Sequence, residues 1–220
     1  MVNPAAAASL VVAGYPSPTI ATVAHAFTVT AKDAYGNTDV NYTGTVHFTS
    51  SEYSAALPPD YAFVAGDGGT QTFSATMNLP VIHTLTATDT ASSITGSQTG
   101  IVVTLLDTDN DGCADVYELG ANHAAGGQRD PLNPWDFFDV AVPYSAIQTT
   151  AGKNKAINGA DVLAVRNGTG HVAGDGVYNV QYDRTPSTAS GEPWRSGPPN
   201  GAISGVDVLV ARDSTGDSCL

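Results

Sequence analysis

Apolar and polar residues alternate with a period of two in several short runs of the first half. In AHAFTVTAKDAYGNT, Phe27, Val29 and Ala31 alternate with Thr28, Thr30 and Lys32, the pattern of a strand with one buried face. Asp33 to Asn37 then supplies turn chemistry, because Gly and Asn tolerate positive φ and Asp bonds its own backbone. Similar runs follow at Gly44 to Ser50, Thr70 to Met77, Ile82 to Asp89 and Gly96 to Thr104, and Ser9 to Ala13 fits a first strand. Short Thr- and Val-rich strands between Gly, Pro, Asn and Asp, with no helical period before Leu105, predict an antiparallel β-sandwich.

FTVTAKDAYGNT, YTGTVHFTSS and HTLTATDTASSITGSQTGIVV closely resemble the bacterial immunoglobulin-like repeats of surface and secreted proteins, a resemblance covering almost all of residues 9–104. It implies a spacer or adhesive stalk. His25, His47 and His83 fall in separate strands without paired spacing and read as ordinary strand or surface histidines. Two glycosylation-type triplets, Asn41-Tyr42-Thr43 and Asn167-Gly168-Thr169, are short enough to arise by chance.

The pattern changes directly after the last strand. DTDNDGCADVYE places Asp107, Asp109 and Asp111 at positions one, three and five of an EF-hand calcium loop, Gly112 at the sharp turn, Asp115 at nine and Glu118 at twelve. Calcium needs six to eight oxygens, so the chain has to curl around it. The Cys113 carbonyl would be a ligand, Asp115 a direct or water-bridged one, and Glu118 would bring both oxygens from the first turn of a short helix, VYELG. Without a cation the carboxylates repel one another; unit charges about 4 Å apart cost ~1 kcal/mol in water and ~4 kcal/mol at an effective dielectric near 20. The first DxDxDG also resembles the thrombospondin type 3 calcium repeats, which implies a stiffening joint.

Further on, NKAINGADVLAVRNGTG (154–170) returns 46 residues later as NGAISGVDVLVARDSTG (200–216), with ten identities in seventeen positions, an internal duplication. Each copy reads as the second half of a calcium loop: Asn154 and Asn200 at five, the Ala156 and Ala202 carbonyls at seven, Ile157 and Ile203 at eight, Asn158 and Ser204 next, Asp161 and Asp207 at twelve. The usual first half is missing. Asp139 in PWDFFDV and Asp183 in VQYDRT, 15 and 17 residues before the Asn, are the expected substitutes through a longer entering loop. The alternative reading is that Asp161 and Asp207 cap the helices that begin there. NPWDFFDV, NKAINGADVLAV, YDRTPS and PWRSGPPNGAISGVDVLV resemble dockerin-like modules, which implies two calcium loops packed as a pair and, in true dockerins, docking to a cohesin-type receptor. The missing first-half ligands depart from that family, and Arg166 and Arg212 are weak candidates for reading a receptor.

The sequence therefore divides into 1–106, a sandwich; 107–130, a calcium-binding joint; and 131–220, a small α-helical, loop-rich dockerin-like module, mainly β overall. Charge sharpens the division: residues 1–106 carry six acidic side chains and one basic, and residues 107–220 the other fifteen acidic and seven basic. A net charge of -13 disfavours nucleic acid and anionic membranes and favours a cation. No stretch approaches the length of a membrane span, and Met1 to Leu10 lacks the basic and long apolar parts of a signal peptide, as in a piece of a longer secreted chain. Cys113 and Cys219 are expected to form one disulfide in an oxidising compartment. No GxSxG, HExxH or separate catalytic carboxylate pair is present. These features lead to the expectation of a secreted or cell-surface, non-catalytic, calcium-binding structural or adhesive module, such as a filament subunit, with other chains or like subunits as partners. A dockerin-like recognition module is the alternative. A carbohydrate-binding sandwich has little support, since Trp135 and Trp194 lie outside the sandwich.

Overall fold

The computed structural model describes residues 4–186 and 196–219, so Trp194 lies outside the described residues. The chain forms two compact units, one ending at Leu105 and the other beginning at Leu106. The expected joint at 107–130 belongs to the second unit, because Cys113 packs in the same apolar cluster as Phe137, Phe138 and Val165.

The first unit is built from β1 (Ser9–Ala13), β2 (Thr19–Ile20), β3 (Ala24–Lys32), β4 (Thr45–Ser50), β5 (Tyr61–Ala62), β6 (Thr70–Thr76), β7 (Ile82–Asp89) and β8 (Thr95–Thr104). Two sheets, ordered β1-β3-β6 and β2-β8-β7-β4-β5, face each other across the core. The period-two pattern is the cause: Phe27, Val29 and Ala31 of β3 are buried, and Val46, Phe48, Leu85, Ala87 and Ile101 meet them from the other sheet. The Phe27 and Phe48 rings make an edge-on contact at 5.8 Å between centroids, and burying each such side chain contributes about 1.5–3 kcal/mol. One pairing departs from the expected antiparallel arrangement: β2 runs parallel to β8, Thr19 opposite Val103.

Several polar residues inside this unit are matched. Asp33 holds its turn by accepting the Tyr35 and Asn37 N–H groups. The Tyr42 hydroxyl donates to Asp89 at 2.5 Å, and Gly44 is required beside that pair, because a Cβ there would sit 2.0 Å from Asp89 Oδ2. His83 is buried against Glu52 and the Leu79 carbonyl, His47 pairs with Asp60 at the surface, and His25 lies edge-on to Tyr15.

The second unit contains α1 (Asp115–Glu118), α2 (Gly159–Asn167) and α3 (Gly205–Asp213), with a two-residue pair of strands, β9 (Thr185–Pro186) and β10 (Ser196–Gly197). The duplication is visible as reciprocal pairing. Ile157 exchanges hydrogen bonds with Gly216 and Asp217 after α3, and Ile203 exchanges them with Gly170 and His171 after α2. Each copy's loop therefore rests on the turn that follows the other copy's helix, and both isoleucines are buried. Cys113 and Cys219 are joined by a disulfide, as expected, tying the acidic loop to the end of the described chain.

Candidate metal centre

The loop Asp107–Glu118 curls as its sequence demands. Gly112 has φ +106 and Asn110 φ +61, conformations that Gly and Asn adopt most readily. Asp107 braces the turn by accepting the Asn110 and Gly112 N–H groups at 2.8 and 3.2 Å, Asp109 accepts the Asp111 N–H at 3.2 Å, and Asp111 accepts the Cys113 N–H at 2.7 Å. One carboxylate oxygen each from Asp107, Asp109 and Asp111 comes within 4.8 Å of the others.

A second group closes the inner side of the loop, with oxygens of Asp111, Glu118 and Asp136 within 4.8 Å of one another and all three residues buried. Asp136 is the residue that sequence reasoning missed. Glu118 is fully buried, and neither of its carboxylate oxygens has a hydrogen-bond partner; Asp109 Oδ2 and Asp111 Oδ2 are also buried without one. Burial among like charges pushes the Asp109 carboxyl up to about 6 and those of Asp111 and Glu118 up to about 8. Buried polar atoms are nearly always hydrogen-bonded. A convergent set of orphaned carboxylate oxygens with hard-donor chemistry fits a divalent cation such as calcium.

Asp115, expected as the ninth-position ligand, is placed elsewhere. Its oxygens accept the Thr108 N–H and hydroxyl, both at 2.7 Å, which holds its carboxyl below the usual range. The hydroxyl two positions into the loop competes for this side chain, and pattern matching does not register that competition.

The duplicated loops share the register of the first. Asn154 and Asn200 accept the N–H of Ala156 and Ala202, as Asp111 accepts that of Cys113. Lys155 (φ +61) and Gly201 (φ +95) occupy the left-handed place of Gly112. The upstream aspartates play the part of Asp107: Asp139 accepts the Asn154 and Lys155 N–H groups, and Asp183 those of Asn200 and Gly201. Asp161 accepts the Val140 N–H next to Asp139, and Asp207 the Arg184 N–H next to Asp183, so each helix-start aspartate binds the backbone beside its expected partner.

The chemistry of these pairs differs from the first loop. Both oxygens of Asp161, Asp183 and Asp207 accept hydrogen bonds, and Asp183 also takes the Tyr178 hydroxyl. The side chains of Asn158 and Ser204, expected as ligands, instead cap α2 and α3 by accepting the Ala160 and Val206 N–H groups, and Asp161 and Asp207 complete capping boxes from the third helical position. Among these acids Asp139 alone keeps a buried oxygen without a partner; burial pushes its carboxyl up and nearby Lys153 draws it down. Buried Arg184 stacks over the Trp135 and Phe138 rings at 4.6 and 5.1 Å. Asp175 in the Gly174–Gly176 segment is a turn brace that accepts the Val172, Val177 and Tyr178 N–H groups.

No protein-family model matches the chain, and no curated protein matches it in sequence. Among solved structures, domains 4 and 5 of the S-layer protein SbsC are 20% identical, with a TM-score of 0.33, over 46% of this chain and 54% of that one. Domains 1-6 of surface layer protein SbsC give 20% and 0.34 over 47% of this chain and 14% of that one. The D00-D0 domain of intimin gives 16% and 0.30 over 45% and 48%. The chain thus spans about half or less of the structures it matches, and overlaps at these scores do not fix the family of either unit.

Proposed function

We propose that this chain is a non-catalytic, extracellular calcium-binding module of a bacterial surface or secreted protein, in which an immunoglobulin-like sandwich serves as spacer or adhesive stalk and calcium orders the unit that follows. The observation that carries the reading is Glu118, a fully buried carboxylate with no protein partner, facing buried Asp111 and Asp136. Three buried acids at one point are unfavourable by themselves and favourable around a divalent ion. Extracellular modules of this kind work at calcium concentrations near millimolar. The disulfide supports an oxidising compartment. Among the described residues no helix is long and apolar enough to cross a membrane. Partners of such a module are other protein chains or like subunits.

A second reading, dockerin-like recognition, is favoured by one observation. Leu163 on α2 and Leu209 on α3, equivalent in the duplication, are each 46% exposed. Pull-down against cohesin-type domains separates the two readings. Calorimetric melts with calcium and with excess chelator test the first: the transition of the unit from Leu106 onward should rise with calcium and that of the sandwich should not. An unchanged thermogram would overturn it.

A further inference from the structure

We propose that Asp136, in place of Asp115, completes the oxygen shell of the ion in the Asp107–Glu118 loop, so that the ion clamps two separate segments of the chain. This rests on the calcium reading of that loop.

An ion bound at about 2.3–2.6 Å from each ligand holds opposed oxygens no more than about 5 Å apart. The carboxylates of Asp111, Glu118 and Asp136 already meet that limit, at 4.8 Å or less, and are buried together. Glu118 gives the independent indication of a ligand, since it is fully buried and neither of its oxygens has a protein donor. Asp115, the residue the loop pattern assigns to this duty, has both oxygens engaged by Thr108.

Asp136 is also held where a ligand should be. Its Oδ2 accepts the Asp130 N–H at 2.8 Å and its carbonyl accepts Arg129 Nε at 3.0 Å. It directly precedes Phe137 and Phe138, which sit in the apolar cluster of the unit with exposures of 1% and 0%. A ligand from this segment makes the ion a link between the loop and the unit's core, where a loop-only site would order the loop alone. Calcium should therefore act on residues well beyond Glu118.

Two measurements decide the point. In amide hydrogen exchange of the unmodified protein, with calcium and with chelator, calcium should slow exchange at Asp130 and through 129–138 together with Gly112 and Cys113. Protection confined to 107–118 would overturn the proposal. In terbium-luminescence and calcium-competition titrations, Asp136→Asn should weaken binding by at least about 30-fold, whereas Asp115→Asn should change it by less than about 3-fold. The reverse order would also overturn it. The exchange measurement needs no variant and stands even if Asp136→Asn does not fold. If the unmodified protein binds neither ion, the calcium reading itself falls and this inference with it; if it binds and only the order of the variants is wrong, the calcium reading survives.

Discussion

Replacing Glu118 with Gln should change stability in opposite directions with and without calcium. In chelator at pH 7, a carboxyl raised from 4.5 to about 8 is mostly protonated in the folded protein. Taking up that proton costs up to about 3 kcal/mol, from 1.36 kcal/mol for each of about 2.5 pH units. Gln removes the titration and keeps the shape, but buries a carboxamide whose unmet hydrogen bonds cost about 1–3 kcal/mol. The net effect in chelator lies between zero and about 2 kcal/mol of stabilisation. In calcium the same change removes a two-oxygen ligand; a 100-fold loss of affinity is about 2.8 kcal/mol of lost linkage. Set against the gain of zero to about 2 kcal/mol, the net loss in saturating calcium is about 1–3 kcal/mol, so at roughly 4 °C per kcal/mol the variant should melt about 3–11 °C below the parent there, and level with it or above it in chelator. Scanning calorimetry at pH 7 in both conditions reads this directly. An equal drop in both would mean that Glu118 is only a packing residue, and the metal argument would fail.

Calcium binding near pH 7 should release protons, because Asp111 and Glu118 titrate near 8 without the ion and must ionise to bind it; titration heats that are identical in buffers of different protonation enthalpy would contradict this. For the same reason the chelated unit should lose stability as pH rises from about 4 to about 8 and level off above that, since these folded-state values lie above the unfolded 3.8 and 4.5 and the stabilisation belongs to the protonated side; a melt that rises between pH 5 and 8 would count against it, the window being set by those values. Removing the disulfide with Cys113→Ser and Cys219→Ser, which opens a separation of 106 residues, should lower the second unit's transition by up to about 4.7 kcal/mol and leave the sandwich unchanged; equal shifts in both units would exclude a local role. Phe27→Ala should do the converse, costing the sandwich about 3–5 kcal/mol while leaving calcium affinity unaltered.

The strands that bury one face were legible because alternation is a local signal. Ser9–Ala13 and Ile82–Asp89 fall where the pattern puts them, and Thr45–Ser50, Thr70–Thr76 and Thr95–Thr104 within one residue of it. Thr19–Ile20 and Tyr61–Ala62 were not, since two residues cannot show a period. The loop Asp107–Glu118 could be read for its turn, but its ligands only in part. Asp115 was lost to Thr108, a choice made by local geometry, and Asp136 was invisible because no spacing rule connects it to a loop that ends 18 residues earlier. In the duplicated region, pattern placed Asp139 and Asp183 beside the right loops. It could not tell a ligand from a carboxylate bound to backbone N–H groups, because both uses favour Asp beside a turn.

The most direct test of the central claim is a calorimetric calcium titration of the whole chain, stripped of metal beforehand, beside the Glu118→Gln variant. Saturable binding to the parent, abolished or weakened at least about 100-fold in the variant, is the expected result. Equal binding by both, or none by the parent, would contradict the account.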